Sequence, residues 1–191
     1  MKKGNIIFLN GVSSAGKSTL SKALQSRLDY YWFSVDVFIE YSSANPWEID
    51  PMYTYEEGKN ILMLYPSFIK HFSDLGVNVI ADAALMEPLM LTKEALNKCV
   101  ETLHEYPLMY VHVTCPPEEL SRREKERGGI EIGRSLRMFE LLDPNDIYDI
   151  TVDTFHNSIE ECVDKITDLL QYPDKFVAFK KRGESIKCKK P

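Results

Sequence analysis

Apolar residues in this chain occur in two patterns: short unbroken runs, and stretches where they return every third or fourth position. The first run lies within Asn5 to Asn10, and Leu20, Ala23, Leu24 and Leu28 then follow at helical spacing. That order predicts a strand, a turn and a helix over Ser18 to Leu28. A second run, Tyr31 to Val35, ends at Asp36, with Val37, Phe38 and Ile39 opening a short helix. Residues 42 to 54, with Pro46 and Pro51, read as a loop. Ile61, Leu62, Leu64, Tyr65, Phe68, Ile69 and Phe72 restore the helical period, and Pro66 is expected to kink or divide that helix before Gly76 closes it. Further strands are predicted at Val77 to Ala81, Met109 to Thr114 and Ile150 to Val152, with helices over Thr92 to His104 and Ser158 to Leu170.

Strands that are apolar throughout have no solvent face, so in alternation with amphipathic helices they describe a parallel sheet covered on both sides. The fold class is α/β. With 191 residues, 44% of them hydrophobic, one domain with a sizeable core is expected. Its bounds are set at 1–174, followed by a basic tail at 175–191.

Charge sharpens that division. The net charge is −6, yet Lys175 to Pro191 carries seven basic residues against Glu184 alone, which leaves −12 for the body. An acidic body repels phosphate backbones and anionic membranes, so neither nucleic acid nor a membrane is expected as a partner. Within the tail, Phe176-Val177-Ala178-Phe179 is an apolar patch suited to docking on the body. Cys99, Cys115, Cys162 and Cys188 lie far apart without zinc-ligand spacing, and the apolar run after Met1-Lys2-Lys3-Gly4 is too short for a signal core. Reduced thiols and a cytoplasmic location are the expectations. Oligomeric state is not readable from the sequence.

The most specific feature follows the first strand directly: Gly11-Val12-Ser13-Ser14-Ala15-Gly16-Lys17-Ser18, continued by Thr19, a complete G-x-x-x-x-G-K-[ST]. Glycines let the backbone curl so that successive N–H groups face phosphate oxygens, and the following helix adds its positive end. Lys17 is then placed for the β- and γ-phosphates of ATP and the Ser18 hydroxyl for Mg²⁺. A plain Gly-Ser turn would join strand to helix equally well, but it needs no Lys-Ser pair.

Ligands of open parallel sheets sit beyond the carboxyl ends of the strands, where Asp36 and Asp82 stand. Asp36 is a candidate base for an attacking hydroxyl, or acts on the metal or the acceptor; Asp82 is a candidate metal carboxylate. Each is also a natural N-cap for a following helix. Glu40, one turn after Asp36, is either a second acceptor contact or a surface acid. Arg123 and Arg127 share a helical face ahead of Gly128-Gly129, as a lid closing over a triphosphate would. The same acidic and basic run also describes a salt-bridged surface helix.

Together these segments resemble the chloramphenicol phosphotransferase-like family of P-loop kinases. The likeness rests on Leu9-Asn10-Gly11-Val12-Ser13-Ser14-Ala15-Gly16-Lys17-Ser18, Val35-Asp36 with Phe38-Ile39-Glu40, Asp82, Arg123 to Gly128, and Tyr148-Asp149-Ile150-Thr151-Val152-Asp153-Thr154, with Ser158, Glu161 and Cys162 beyond. The resemblance implies a P-loop nucleoside triphosphate hydrolase fold with five parallel strands in the order 2-3-1-4-5, Mg-ATP as donor, Asp36 as base, Arg123 and Arg127 in the lid, and Val152-Asp153-Thr154 ahead of the loop near the adenine. Its implied reaction is transfer of the γ-phosphate of ATP to a hydroxyl of a small molecule. Ala83-Ala84, Gly129, Ile130 and the segment 43–60 differ from the antibiotic kinase, so the acceptor stays open. A nucleoside, sugar or sugar-nucleotide kinase and a regulatory P-loop NTPase are the alternatives. Trp32, Trp47, Tyr53 and Tyr55 are candidate stacking residues, with Trp32 equally suited to the core.

Overall fold

Five short apolar strands pair side by side in one parallel sheet. The computed structural model describes residues 2–40, 51–85, 90–128 and 132–189. The strands are β1 (Ile6–Asn10), β2 (Tyr31–Ser34), β3 (Val79–Ala83), β4 (Leu108–Thr114) and β5 (Ile150–Asp153), ordered β2-β3-β1-β4-β5. The expected order is thus the observed one. β1 is central, with Asn10 in register with Ala83 on one side and His112 on the other. All five of its residues are buried, which is why it reads as an unbroken apolar run.

Alternation along the strands builds two cores. Ile6, Phe8, Val79, Ala81, Leu108 and Tyr110 face α3 (Pro51–Asp74) and α4 (Met90–Leu103), where Leu62, Tyr65, Ile69, Leu96 and Leu103 close the layer. Ile7, Leu9, Ile80, Val111 and Val113 face α1 (Lys17–Arg27) and α7 (Ile159–Leu170) through Leu20, Leu24, Val163 and Ile166. Each Val, Leu, Ile or Phe side chain among these contributes about 1.5–3 kcal/mol on burial. Ser158 starts α7 with a capping box, its side chain accepting from Glu161 N while Glu161 accepts from Ser158 N.

Several boundaries differ from expectation. β3 begins at Val79 rather than Val77, because Val77 bonds back to Phe72 O and pairing with β1 starts only where Val79 N meets Asn5 O. Asp82 therefore lies inside the strand. α3 begins at Pro51, inside the predicted loop; proline suits the first turn of a helix, where its missing N–H costs nothing. The rest of that loop, residues 42–50, lies outside the described residues. α3 is not divided at Pro66, since Leu62 and Tyr65 before it and Ile69 after it are all buried in the same core and hold the two parts in line.

The chain after residue 174 enters both layers. Phe176 is buried beside α7, while Ala178 and Phe179 join Phe8 and Tyr110. Phe179 opens α8 (Ala178–Lys189) with rings 5.8 Å from Phe8 and 4.8 Å from Tyr110. Arg182 of α8 forms a half-buried ion pair with Asp146 and lies over the Tyr110 ring.

Gly11 leaves β1 where its backbone runs against β4. A Cβ there would stand 2.1 Å from Val113 O, with backbone on both sides unable to yield. Gly11→Ala is expected to cost about 1–3 kcal/mol of stability through overpacking, read as a fall in Tm of roughly 2–4 °C for each kcal/mol.

Candidate active site

The turn from β1 into α1 is a coiled loop closed by its own backbone, Ala15 N donating to Val12 O at 3.4 Å. Ser14 has φ +63° and Gly16 φ +94°, both in the left-handed region. Gly16 is also packed: a Cβ there would meet Thr154 Oγ1 at 3.1 Å and Arg123 Nη1 at 3.4 Å. α1 begins at Lys17 with no capping side chain and no acid in its first turn. Its first N–H groups and positive end are therefore left for a ligand, and an anion is the group that they suit. A second observation agrees: among the described residues, Ser14 Oγ is buried without a hydrogen-bond partner.

Lys17 folds back over the loop and donates to Gly11 O and Val12 O, each at 2.9 Å. Two of its three N–H donors are spent there, and one remains for a ligand. Burial lowers its pKa, opposed by the negative charges of Asp36 and Asp82 and reinforced by Arg127 and Arg134. Ser13, Ser14, Gly16, Lys17, Ser18 and Thr19 line a cleft of about 430 Å³. Facing them are Asp36, Arg123, Arg127, Thr154 and Ile159. Among the described residues, three cations and one carboxylate line this cleft of an acidic protein, which makes it a local anion site.

Asp36 lies in the first turn of α2 (Val35–Glu40), exposed to the cleft. The strand before it stops at Ser34, so Asp36 is a helical residue rather than a strand end. Asp82 is elsewhere. It is buried behind the cleft lining, and its Oδ2 accepts from Ser21 Oγ and Trp32 Nε1, each at 3.2 Å. Burial raises its pKa, while bonds from Ser34 and Trp32 and the charge of Lys17 pull it back. Trp32 is thus half-buried and bonded to Asp82. The side chains of Glu40, Trp47, Tyr53 and Tyr55, and residues Gly129 and Ile130, lie outside the described residues.

α5 (Pro117–Arg127) realises both readings of the arginine segment, on different sides. Arg122 bonds Glu119 twice at 2.7 Å and also pairs with Glu126, as a surface helix would. Arg123 and Arg127 line the cleft. Arg123 spends Nε on Glu119 Oε1 at 2.7 Å, Nη1 on Thr154 Oγ1 at 2.8 Å and Nη2 on Thr154 O at 3.0 Å. Arg127 reaches the phosphate loop, its Nη2 donating to Ser13 Oγ at 3.3 Å. Hydrogen bonds from Arg122 and Arg123 bring the Glu119 carboxyl down to about 2. The sign follows: this pairing contributes fully above the ordinary carboxylate range and is lost as pH falls toward 2. Glu124 ties α5 to α6 (Arg134–Glu140), accepting from Gly133 N and Ser135 N at 2.7 and 2.9 Å.

The family model for "Chloramphenicol phosphotransferase-like protein" matches residues 4–171, which carry every side chain of this cleft. The chain belongs to the chloramphenicol phosphotransferase-like family. As a member it is a P-loop kinase, a phosphotransferase. A Mycobacterium tuberculosis protein named "Putative O-phosphotransferase" is 26% identical over 95% of this chain and 90% of its own length. A Halalkalibacterium halodurans protein named "Probable adenylyl-sulfate kinase" is 25% identical over 88% of this chain and 81% of its own. Among solved structures, a sugar kinase from Janibacter sp. HTCC2649 superposes with a TM-score of 0.64, covering 90% of this chain and 98% of its own; at 17% identity that likeness concerns the fold. No helix among the described residues is long and apolar enough to cross a membrane.

Beyond the motif, this family member's cleft includes wall residues that pattern reading did not assign. Thr154 appears in the Tyr148 to Thr154 segment without a role in the wall, and Ile159 and the electrostatic influence of Arg134 carry no sequence signal at all. Asn10 is a further case. It is wholly buried, donates to Leu85 O and Tyr110 OH at 2.8 Å, and accepts from Leu85 N at 2.8 Å, fastening the chain after β3 to the root of the phosphate loop.

Proposed function

We propose that this chain moves the γ-phosphate of ATP to a hydroxyl of a small molecule. One observation carries the reading: Lys17 and the uncapped start of α1 line the same cleft as Asp36, so an anion site and a carboxylate face one space. The acceptor hydroxyl attacks the γ-phosphorus, the bond to the β-phosphate bridging oxygen breaks, and ADP leaves. Asp36 takes the hydroxyl proton. Arg127 and Lys17 stabilise charge on the moving group, and Arg123 holds the wall beside them.

Among the described residues no three acidic, histidine or cysteine side chains converge on one point. A Mg²⁺ ion held mainly by phosphate and water would take the hydroxyl of Ser18, which lines the cleft, with the buried carboxylate of Asp82 adding negative charge behind it. Mg²⁺ bound there would offset negative charge on the β- and γ-phosphates.

Chloramphenicol is one candidate acceptor. The adenylyl-sulfate kinase name of one relative supports a second, a hydroxyl on a nucleotide-like or sugar-like molecule. The test is incubation with Mg²⁺ and γ-labelled ATP, first with chloramphenicol and then with a pool of hydroxylated metabolites, with label followed by chromatography and mass. Label on an acceptor is the expected result. Label found only as free phosphate, indifferent to every acceptor, would favour a regulatory NTPase instead.

A further inference from the structure

Thr154 is the point where β5, the arginine helix and the phosphate loop meet. It follows β5 directly, is 8% exposed, and its backbone is fixed by Thr154 N donating to Thr114 O at 3.0 Å. A threonine hydroxyl has one proton to give. A guanidinium can only donate, so the 2.8 Å bond from Arg123 Nη1 obliges Thr154 Oγ1 to act as acceptor there. Its own proton must then go to a carbonyl, and two are near: Ala15 O at 2.8 Å and Thr114 O at 3.5 Å. The shorter bond is the one made, since 3.5 Å is at the limit for an O–H donor.

The consequence lies on the far side of one peptide plane. In a trans peptide the C=O and the following N–H point in opposite directions. Holding Ala15 O toward Thr154 therefore turns Gly16 N–H away from Thr154, and Gly16 lines the cleft. The planes on either side are held by other bonds, Ala15 N donating to Val12 O at 3.4 Å and Leu20 N donating to Gly16 O at 3.0 Å, while the Ala15-Gly16 plane itself is held through its carbonyl by Thr154. The 2.8 Å bond from Thr154 Oγ1 to Ala15 O is thus the contact that fixes which way this plane faces between those two anchors.

We propose that Thr154 is a positioning residue for nucleotide phosphate: locked as a donor by Arg123, its hydroxyl holds the Ala15-Gly16 peptide so that Gly16 N–H faces the cleft. Arg123 then works as a strut and Arg127 as the arm that reaches the ligand. This rests on the nucleotide-binding reading above, and the experiment separates the two.

ATP and adenosine binding are measured by calorimetry on the full chain for wild type, Thr154→Val and Thr154→Ser. Valine keeps the shape and loses the hydroxyl; serine keeps the hydroxyl. Loss of a hydrogen bond to a charged group predicts about tenfold weaker ATP binding for Thr154→Val, adenosine binding unchanged, and Thr154→Ser within about twofold of wild type. Arg123→Lys, which keeps the charge but not the fork, should also weaken ATP and add little when combined with Thr154→Val, because both act through one bond. Wild type failing to bind ATP would remove the nucleotide-binding reading itself. Wild type binding with Thr154→Val equal to it, with Thr154→Ser as weak as Val, with adenosine weakened alike, or with additive losses in the double variant would overturn the role of Thr154.

Discussion

Lys17→Met should lower kcat/KM for phosphoryl transfer by about a thousandfold or more. Methionine matches the length of the lysine stem and removes its charge and donors. A single preorganised donor at developing charge is worth about a hundred- to a thousandfold, and Lys17 adds a full positive charge beside the phosphates. The substitution also takes the donor away from Gly11 O and Val12 O, which favours misplacement of the loop. Against that, it removes a half-buried charge whose pKa desolvation already depresses. The two effects on stability oppose each other, so Tm should move little while activity collapses. A large fall in Tm with activity within tenfold of wild type would make Lys17 a structural residue.

The depressed pKa of Lys17 adds a pH signature. A base whose folded pKa lies below its ordinary value is charged in the native state only below that lowered pKa, and burying the charge costs stability there. As pH rises through the window up to the ordinary 10.5, the cost is relieved while the phosphate-binding charge disappears. kcat/KM for the free enzyme should therefore fall on an alkaline limb that lies below 10.5, and Lys17→Met should lack this limb. Measuring kcat/KM against pH for both proteins checks it.

The parts of this site that could be read from sequence are those written in contiguous residues. Gly11 to Thr19 identifies a phosphate loop because strand, glycines, lysine and hydroxyl stand in one short segment, and Asp36 was within reach because strand ends face ligands in parallel sheets. What escaped is made by distance. Thr154 bonds Ala15 across 139 residues and Arg123 across 31, and no local period reports such a meeting. The division of α5 into a salt-bridged side and a cleft side was also illegible, because Arg122 and Arg123 are adjacent and their partners decide which does what. Fold followed the same division. Strand order was accessible through family resemblance, whereas the undivided passage of α3 through Pro66 depends on burial on both sides of the proline, a tertiary effect. The apolar patch from Phe176 to Phe179 marked a docking segment, but only the structure shows it filling both layers.

Asp36→Asn is the second change with a large expected effect, and it separates chemistry from binding. Asparagine keeps the size and much of the hydrogen bonding of aspartate but does not accept the hydroxyl proton. General-base removal predicts a fall in kcat of about a hundred- to ten-thousandfold. Asp36 faces the loop across the cleft and is itself exposed, so neither the fold nor the phosphate contacts depend on it, and the affinity for ATP should stay within a few fold. Its charge does act on Lys17, whose pKa it raises. In Asp36→Asn the alkaline limb of ATP binding should therefore move to lower pH, a displacement that a purely local defect would not cause. If instead the variant keeps kcat at saturating Mg²⁺ and only demands more of the ion, Asp36 serves the metal rather than the proton. The same cleft would then need a different base, and Asp82, enclosed by Ser21 and Trp32 behind the lining, is not placed to be one. An unchanged kcat would thus point to a reaction in which the acceptor hydroxyl gives up its proton late, to the transferred phosphate itself.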